Sequence, residues 1–207
     1  MIEKKQIVGV ILAGGKASRM NFQDKALLLL GAKPLIEHVI GNACSQVGRL
    51  VISVNRNPEK FHYLGLPLLP DHDQAYAGPL LGICSAMRWM IAEGADVNRN
   101  YLACFPADVP WFPDTLIHDL AHAINGSDFK VAWSEYNGQV EPLFSLWSLE
   151  SLPSIEQAID RGLFGPKLLI PKLANVLVSF QPSDCGYFLN INSEDALRTA
   201  QQMLEAQ

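Results

Sequence analysis

The residues best suited to chemistry stand in two segments, each directly after a short apolar run. The first is Leu12-Ala13-Gly14-Gly15-Lys16-Ala17-Ser18-Arg19-Met20, followed by Asp24-Lys25. Adjacent glycines carry no Cβ, so backbone N–H groups can come close to phosphate oxygens. Arg19 adds a planar fork for the same oxygens and Lys25 a mobile point charge. The segment is neither a G-x-G-x-x-G fingerprint nor a G-x-x-x-x-G-K-[ST] loop. The glycines alone are better explained by a tight strand–turn with solvated cations. The added Arg and Lys tip the balance to a phosphate grip.

The second segment is Phe105-Pro106-Ala107-Asp108-Val109-Pro110. Magnesium takes one or two carboxylates and fills its shell with substrate phosphates and water, so Asp108 is a natural ligand. An aspartate capping a local amide is common beside proline. A phosphate loop across the same crevice makes the metal the better account. Lesser candidates are Asp71 after Leu69-Pro70, Asn55 after Leu50–Val54, and Gly78 and Gly82 in Gly78-Pro79-Leu80-Leu81-Gly82-Ile83. Asp71 and Asn55 suit a base or ribose, and equally a turn. Gly78 and Gly82 permit close backbone approach at a helix start, and for Gly82 ordinary helix entry is at least as good an account.

These residues need elements to position them. Ile7–Leu12, Leu50–Val54, Tyr101–Phe105 and Phe129–Trp133 are short apolar runs bounded by turn residues or charge, and predict buried strands. Helical periodicity predicts helices over Pro34–Val47, with Pro34 in the first turn, and over Pro79–Ala92, ending near Gly94. Two more are predicted over Pro113–Ile124 and Ser193–Glu205, the latter with Ser193 as N-cap. Alternation of this kind predicts an α/β fold, with a mainly parallel central sheet and helices on both faces. Ligands in such sheets bind beyond the carboxyl ends of the strands, so the residues after Leu12, Val54, Leu69 and Phe105 should face one crevice. The half after Lys130 is less legible. Val140–Trp147 and Val176–Phe180 look like strands, and an acceptor is expected on this side. Arg161, Lys167 and Lys172 could meet its phosphate, though solvated surface cations are the plainer account.

Composition bounds the partners. The 207 residues are 49% apolar and 18% charged, with a formal net charge of −5, an ordinary globular mix. That balance argues against binding the nucleic-acid backbone. Cys44, Cys84, Cys104 and Cys185 lie far apart with no C-x-x-C pair, so reduced, mostly buried thiols are expected. The apolar run Ile7–Ala13 is at the short end for a signal-peptide core and suits a buried strand better. No run approaches a membrane span of about 18 apolar residues. A cytoplasmic compartment and no membrane partner are expected.

Taken in order, these motifs resemble the molybdenum cofactor guanylyltransferases. The resemblance covers Leu12–Met20, Asp24–Leu28, Gly31, Pro34-Leu35-Ile36, His38-Val39, Val54-Asn55-Arg56, Pro70-Asp71, Gly78–Ile83 and Pro106–Pro110. It continues through Glu141-Pro142-Leu143-Phe144 and Asn190–Asp195 and so spans nearly the whole chain. It implies a Rossmann-like nucleotidyltransferase fold in a single domain, 1–207, with a nucleotide-binding part over about 1–125 and an acceptor-binding part over about 126–207. The implied reaction moves GMP from GTP to molybdopterin and releases pyrophosphate, with Mg2+ as cofactor. Carried over by position, Leu12, Ala13 and Gly14 contact the nucleotide, Lys25 meets its phosphates, Asn55 and Asp71 meet guanine or ribose, and Asp108 holds magnesium; Gly15 and Gly78 as nucleotide contacts and Arg19 as a catalytic cation, read from the residues themselves, complete the candidate set. A monomer is expected, with proteins that deliver or collect the cofactor as further partners.

Two positions depart from the family pattern. Asn21-Phe22 stands where glycine is usual, and Phe22 does not readily take positive φ; Ala107 replaces a cysteine. A cytidylyltransferase acting on molybdopterin and a sugar-phosphate nucleotidyltransferase use a similar loop, but Leu12–Gly15 and Gly78–Ile83 lean towards guanylyl transfer. A non-catalytic nucleotide-binding protein would be favoured by Asn21-Phe22 and disfavoured by Lys25 and Asp108.

Overall fold

Near-continuous apolar runs, Ile7–Leu12, Leu50–Ile52 and Leu102–Phe105, bury both faces of the central strands, as a parallel sheet between helical layers requires. The structure, a computed structural model, describes residues 1–14, 24–70, 78–181 and 186–206. Gly15, Arg19, Asn21, Phe22, Asp71 and Cys185 lie outside the described residues. Elements run in the order β1 (Ile7–Leu12), β2 (Leu29–Leu30), β3 (Lys33–Pro34), α1 (Leu35–Cys44), β4 (Arg49–Ser53), β5 (Leu68–Leu69), α2 (Pro79–Ala92) and β6 (Tyr101–Pro106). Then come α3 (Leu116–Ile124), β7 (Val131–Tyr136), β8 (Gln139–Ser148), α4 (Leu152–Asp160), α5 (Pro166–Leu169), β9 (Asn175–Phe180) and α6 (Glu194–Glu205).

The main sheet has strand order β5-β4-β1-β6-β8-β7-β9. Strands β5, β4, β1 and β6 are parallel, as are β7 and β9. Strand β8 runs antiparallel to both of its neighbours. The sheet is therefore mainly parallel, with one reversed strand. The cause of the reversal is local. Asn137 (φ 51°) and Gly138 (φ 77°) are both left-handed, the two-residue turn whose twist matches that of the strands it joins.

Successive residues of β1 point to opposite faces. Val10 belongs to the buried cluster that holds Leu80, Ile83 and Met87 of α2, and Ile11 to the one that holds Val39 of α1 and Leu116 and Leu120 of α3. Helices thus cover both faces, as expected. Helix α2 has the expected bounds, and Gly94 (φ 89°) follows it while Ala95 N–H bonds back to Met90 O at 2.9 Å. Ser193 Oγ accepts from Ala196 N–H at 3.2 Å and caps α6.

Several boundaries differ from expectation; among them α1 ends at Cys44 and not at Val47, and β4 covers Arg49–Ser53 and not Leu50–Val54. Pro34 (φ −58°, ψ 149°) is extended and precedes α1 instead of opening it, because it closes the β2–β3 hairpin. Helix α3 starts at Leu116, after a turn in which Leu116 N–H bonds Pro113 O. The strand expected over Phe129–Trp133 runs over Val131–Tyr136, leaving Phe129 38% exposed, because it extends into the hairpin with β8. Helices α4 and α5 had no counterpart among the expected elements. None of the described helices is long and apolar enough to cross a membrane.

Candidate active site

The end of β1 is held on both sides. Ala13 N–H continues the ladder to Ser53 O at 2.9 Å, and Ala107 N–H donates to Leu12 O at 3.2 Å. Gly14 and Asp108 therefore leave the sheet from neighbouring strands into one crevice, which Asn55, Lys25, Gly78 and Leu143 also line. The carboxyl ends of β1, β4 and β6 thus converge as the fold class demands. Pro70 is exposed, and Asp71 beyond it lies outside the described residues.

Lys25 opens a 3-10 turn, Lys25–Leu27, anchored by buried Ala26. Its Nζ stands 4.0 Å from Asp108 Oδ2, and the two side chains are 22% and 24% exposed. Asp24, which sequence reasoning passed over, holds this turn from behind. Its Oδ2 accepts from Asn57 Nδ2 at 3.2 Å and from Lys60 Nζ at 3.1 Å. With Asp24 so engaged, the Lys25 amine is directed to Asp108.

Burial pushes the Asp108 carboxyl above its ordinary range, while the Lys25 amine and a backbone hydrogen bond draw it back. Its own carbonyl accepts from Ile191 N–H at 2.9 Å, which ties Asn190-Ile191-Asn192 to the crevice. A largely buried carboxylate facing one cation at 4.0 Å suits a hard metal ion. Among the described residues no three His, Cys, Asp or Glu side chains stand together to hold a metal. One carboxylate with substrate phosphate oxygens and water is the shell that magnesium favours.

The glycines divide by cause. A Cβ on Gly14 would sit 2.9 Å from Asn55 Nδ2, so the Asn55 amide lies directly over the first glycine. Gly78 (φ 109°) is left-handed, and a Cβ there would meet Phe164 O at 2.7 Å. Phe164 O also accepts from Leu80 N–H at 3.1 Å, so the loop before α5 satisfies the first amide of α2. Gly82 is a packing residue: its Cβ would sit 2.5 Å from Ser53 Oγ and 2.9 Å from Leu12 Cδ2. The helix is thereby seated against the strand ends.

Arg161, Lys167 and Lys172 are exposed and none lines the crevice. Lys167 alone acts on a group of this region, opposing the rise that burial causes in the Glu141 carboxyl. Ser53, a polar end to an apolar strand, lines the crevice and is 2% exposed. That polar terminus was its signal. Leu143 had none, since an aliphatic residue in a strand ordinarily means core.

The chain resembles known proteins over nearly its full length. Residues 9–176 match the MobA-like NTP transferase domain. A molybdenum cofactor guanylyltransferase of Mesorhizobium japonicum is 31% identical over 207 residues, covering 98% of each chain. The Archaeoglobus fulgidus molybdopterin-guanine dinucleotide biosynthesis protein A superposes with a TM-score of 0.73 at 20% identity, over 97% of this chain and 100% of that one. A Mycobacterium tuberculosis protein solved in complex with manganese gives 0.65 at 13% identity, over 97% and 100%.

Proposed function

The chain belongs to the MobA-like NTP transferase family, and from that premise we infer that it transfers GMP from GTP to molybdopterin. The carrying observation is the convergence of Lys25 and Asp108, 4.0 Å apart, beside Gly14 at the end of β1. An oxygen of the acceptor's terminal phosphate forms a bond to the α-phosphorus of GTP. The bond from that phosphorus to the α,β-bridging oxygen breaks, and pyrophosphate leaves with the electron pair. The attacking phosphate is already anionic, so the chain need supply no general base. Its work is positioning and charge neutralisation.

Within this scheme Leu12, Ala13, Gly14 and Gly15 surround the phosphates, and Arg19 and Lys25 neutralise them. Asn55, Asp71 and Gly78 hold the nucleoside side. Asp108 is the residue that would hold Mg2+, whose contribution is further charge neutralisation at the phosphate oxygens. A manganese-bound structural relative supports a divalent cation in this fold. The nucleotide part spans about residues 1–125 and the acceptor part about 126–207.

The test is a magnesium-dependent titration of GTP against CTP, followed by pyrophosphate release with molybdopterin. GTP should bind at least tenfold more tightly. Lys25→Ala should reduce turnover by a factor on the order of a hundred, the scale of one lost charge-stabilising donor. Equal affinity for the two nucleotides removes the guanylyl assignment, and wild-type turnover in Lys25→Ala removes the role of that amine.

A further inference from the structure

Strand β8 carries an irregularity within Glu141-Pro142-Leu143-Phe144, a stretch shared with the family to which the proposed chemistry gives no role. Trp133 pairs with Ser145, but the next residue of β7, Ser134, pairs with Glu141. Three residues of β8, Pro142, Leu143 and Phe144, are thus inserted opposite none on β7. Bulges re-aim side chains and are frequent next to active sites. Proline is tolerated in one because it has no ladder hydrogen to donate.

The bulge stands at a particular place. Strand β6 pairs with β8 only as far as Cys104–Ser145. Beyond that pair β6 runs on to Pro106, two residues short of Asp108, without a β8 partner, and the inserted residues occupy that level. Phe144 is buried in the core, and Leu143 lines the crevice.

Two wholly buried serines hold the insertion in shape. Ser134 Oγ donates to Phe144 O at 2.9 Å, and Ser145 Oγ donates to Pro142 O at 2.9 Å. Ser145 Oγ also accepts from Trp147 Nε1 at 2.8 Å, which fixes its rotamer. Both carbonyls next to Leu143 are therefore tied down, and the leucine between them is directed outward. A strand needing only to pair and pack would have no use for this arrangement.

The order of strands says what Leu143 faces. Along the sheet, β4 brings Asn55, β1 brings Gly14, β6 leads to Asp108 and β8 brings Leu143. Leu143 lies on the far side of Asp108 from Asn55. A nucleotide extended from Asn55 past Gly14 ends at Asp108, so the next strand over meets the other reactant.

We infer that Leu143, held forward on the β8 bulge by Ser134 and Ser145, is the acceptor wall of the crevice and sets where the flat apolar face of the pterin lies. The inference rests on the guanylyl-transfer reading of the same site. Leu143 touches the acceptor, and the two serines are positioning residues that act through it.

Steady-state kinetics with GTP and molybdopterin, alongside GTP binding titrations, test this on Leu143→Ala, Leu143→Met, Ser134→Ala and Ser145→Ala. Leu143→Ala should raise the KM for molybdopterin about tenfold, the scale of a lost methylene-sized contact in an apolar pocket. Leu143→Met keeps the volume and should stay within about threefold. Each serine variant should raise the same KM several-fold, and all four should keep GTP Kd within about twofold of wild type. A structural role alone would lower thermal stability and active fraction without this split. An unchanged molybdopterin KM in Leu143→Ala, or a parallel loss of GTP affinity, overturns the inference while leaving guanylyl transfer standing. Absence of turnover in the wild type overturns the transfer reading and this inference with it.

Discussion

Gly82→Ala isolates how closely α2 must sit on the strand ends to shape the crevice. The added Cβ would lie 2.5 Å from Ser53 Oγ and 2.9 Å from Leu12 Cδ2, both inside the 3.0 Å that Cβ contacts essentially never breach. Ser53 is 2% exposed and has little room to yield. Either the Ser53 hydroxyl and the Leu12 terminus turn aside or helix α2 moves outward, and overpacking of this kind costs about 1–3 kcal/mol. The exchange of glycine for alanine inside a helix returns about 0.5–1 kcal/mol. The net loss is then up to about 2.5 kcal/mol, or up to roughly 10 °C in Tm for a domain of this size. Gly41→Ala supplies the control, because Gly41 lies inside α1 and nothing stands within 4 Å of its Cβ position. It should gain the propensity term alone and raise Tm by roughly 1–4 °C. Differential scanning calorimetry on both variants gives the overpacking term by difference. GTP affinity of Gly82→Ala should fall as well, since Gly78 and Pro79 at the head of α2 line the crevice. Equal Tm values for Gly82→Ala and Gly41→Ala would refute the close seating of α2.

Asp108→Asn should separate stability from activity. Burial raises the folded pKa of Asp108 above its ordinary value. A raised carboxyl stabilises the fold at pH below its unfolded value and loses that contribution as pH climbs through the folded one. At neutral pH the buried charge is a cost. Asp108→Asn, free of nucleotide and metal, should therefore match or exceed wild type in Tm at pH 8, with the gap closing towards pH 4, while turnover falls by a factor of at least about a hundred. A variant less stable than wild type at pH 8 and equal to it at pH 4 would reverse the sign and refute the argument. The thiols should also divide: burial pushes Cys104 up to about 12 and Cys84 is buried too, whereas Cys44 is exposed. In a Cys185→Ser background a thiol-reactive dye at pH 8 should label Cys44 quickly and the other two only on unfolding; native-state labelling of Cys104 at the Cys44 rate would contradict the burial.

Local signals were legible where the cause is local. The run Ile7–Leu12, the bounds of α2 and the Ser193 cap all follow from residues adjacent in sequence. Gly14 and Asp108 were placed in one crevice by the strand-end rule, and they stand there. Asp24 was opaque because its partners, Asn57 and Lys60, are brought to it by the chain beyond β4. Gly82 was ambiguous because only the contact with Ser53 and Leu12 distinguishes packing from ordinary helix entry. Pro34 misled because a proline suited to a first helical turn serves as well to end an extended hairpin strand. The Asn137-Gly138 pair was a readable hairpin signal, and from it the reversal of β8 could have been foreseen.

That reversal explains why the wall of the crevice nearest the second half of the chain escaped a rule that found the other side. Parallel strands all end on one edge of the sheet, so the residues following them collect there. An antiparallel strand brings its beginning to that edge instead. Strand β8 starts at Gln139, and Leu143 falls in its first half, level with the residues that follow β6. With strands about 4.8 Å apart, the three steps from β4 to β8 span about 14 Å, and along them Asn55, Gly14, Asp108 and Leu143 come in the order in which nucleoside, phosphates, metal and acceptor would lie. In the proposed reading three parallel strand ends would form the nucleotide side, and the next strand, running the other way, would bound the acceptor side. In a fold of this kind the acceptor side is to be sought at the start of the reversed strand, where a residue that looks like core in the sequence is turned outward by a bulge.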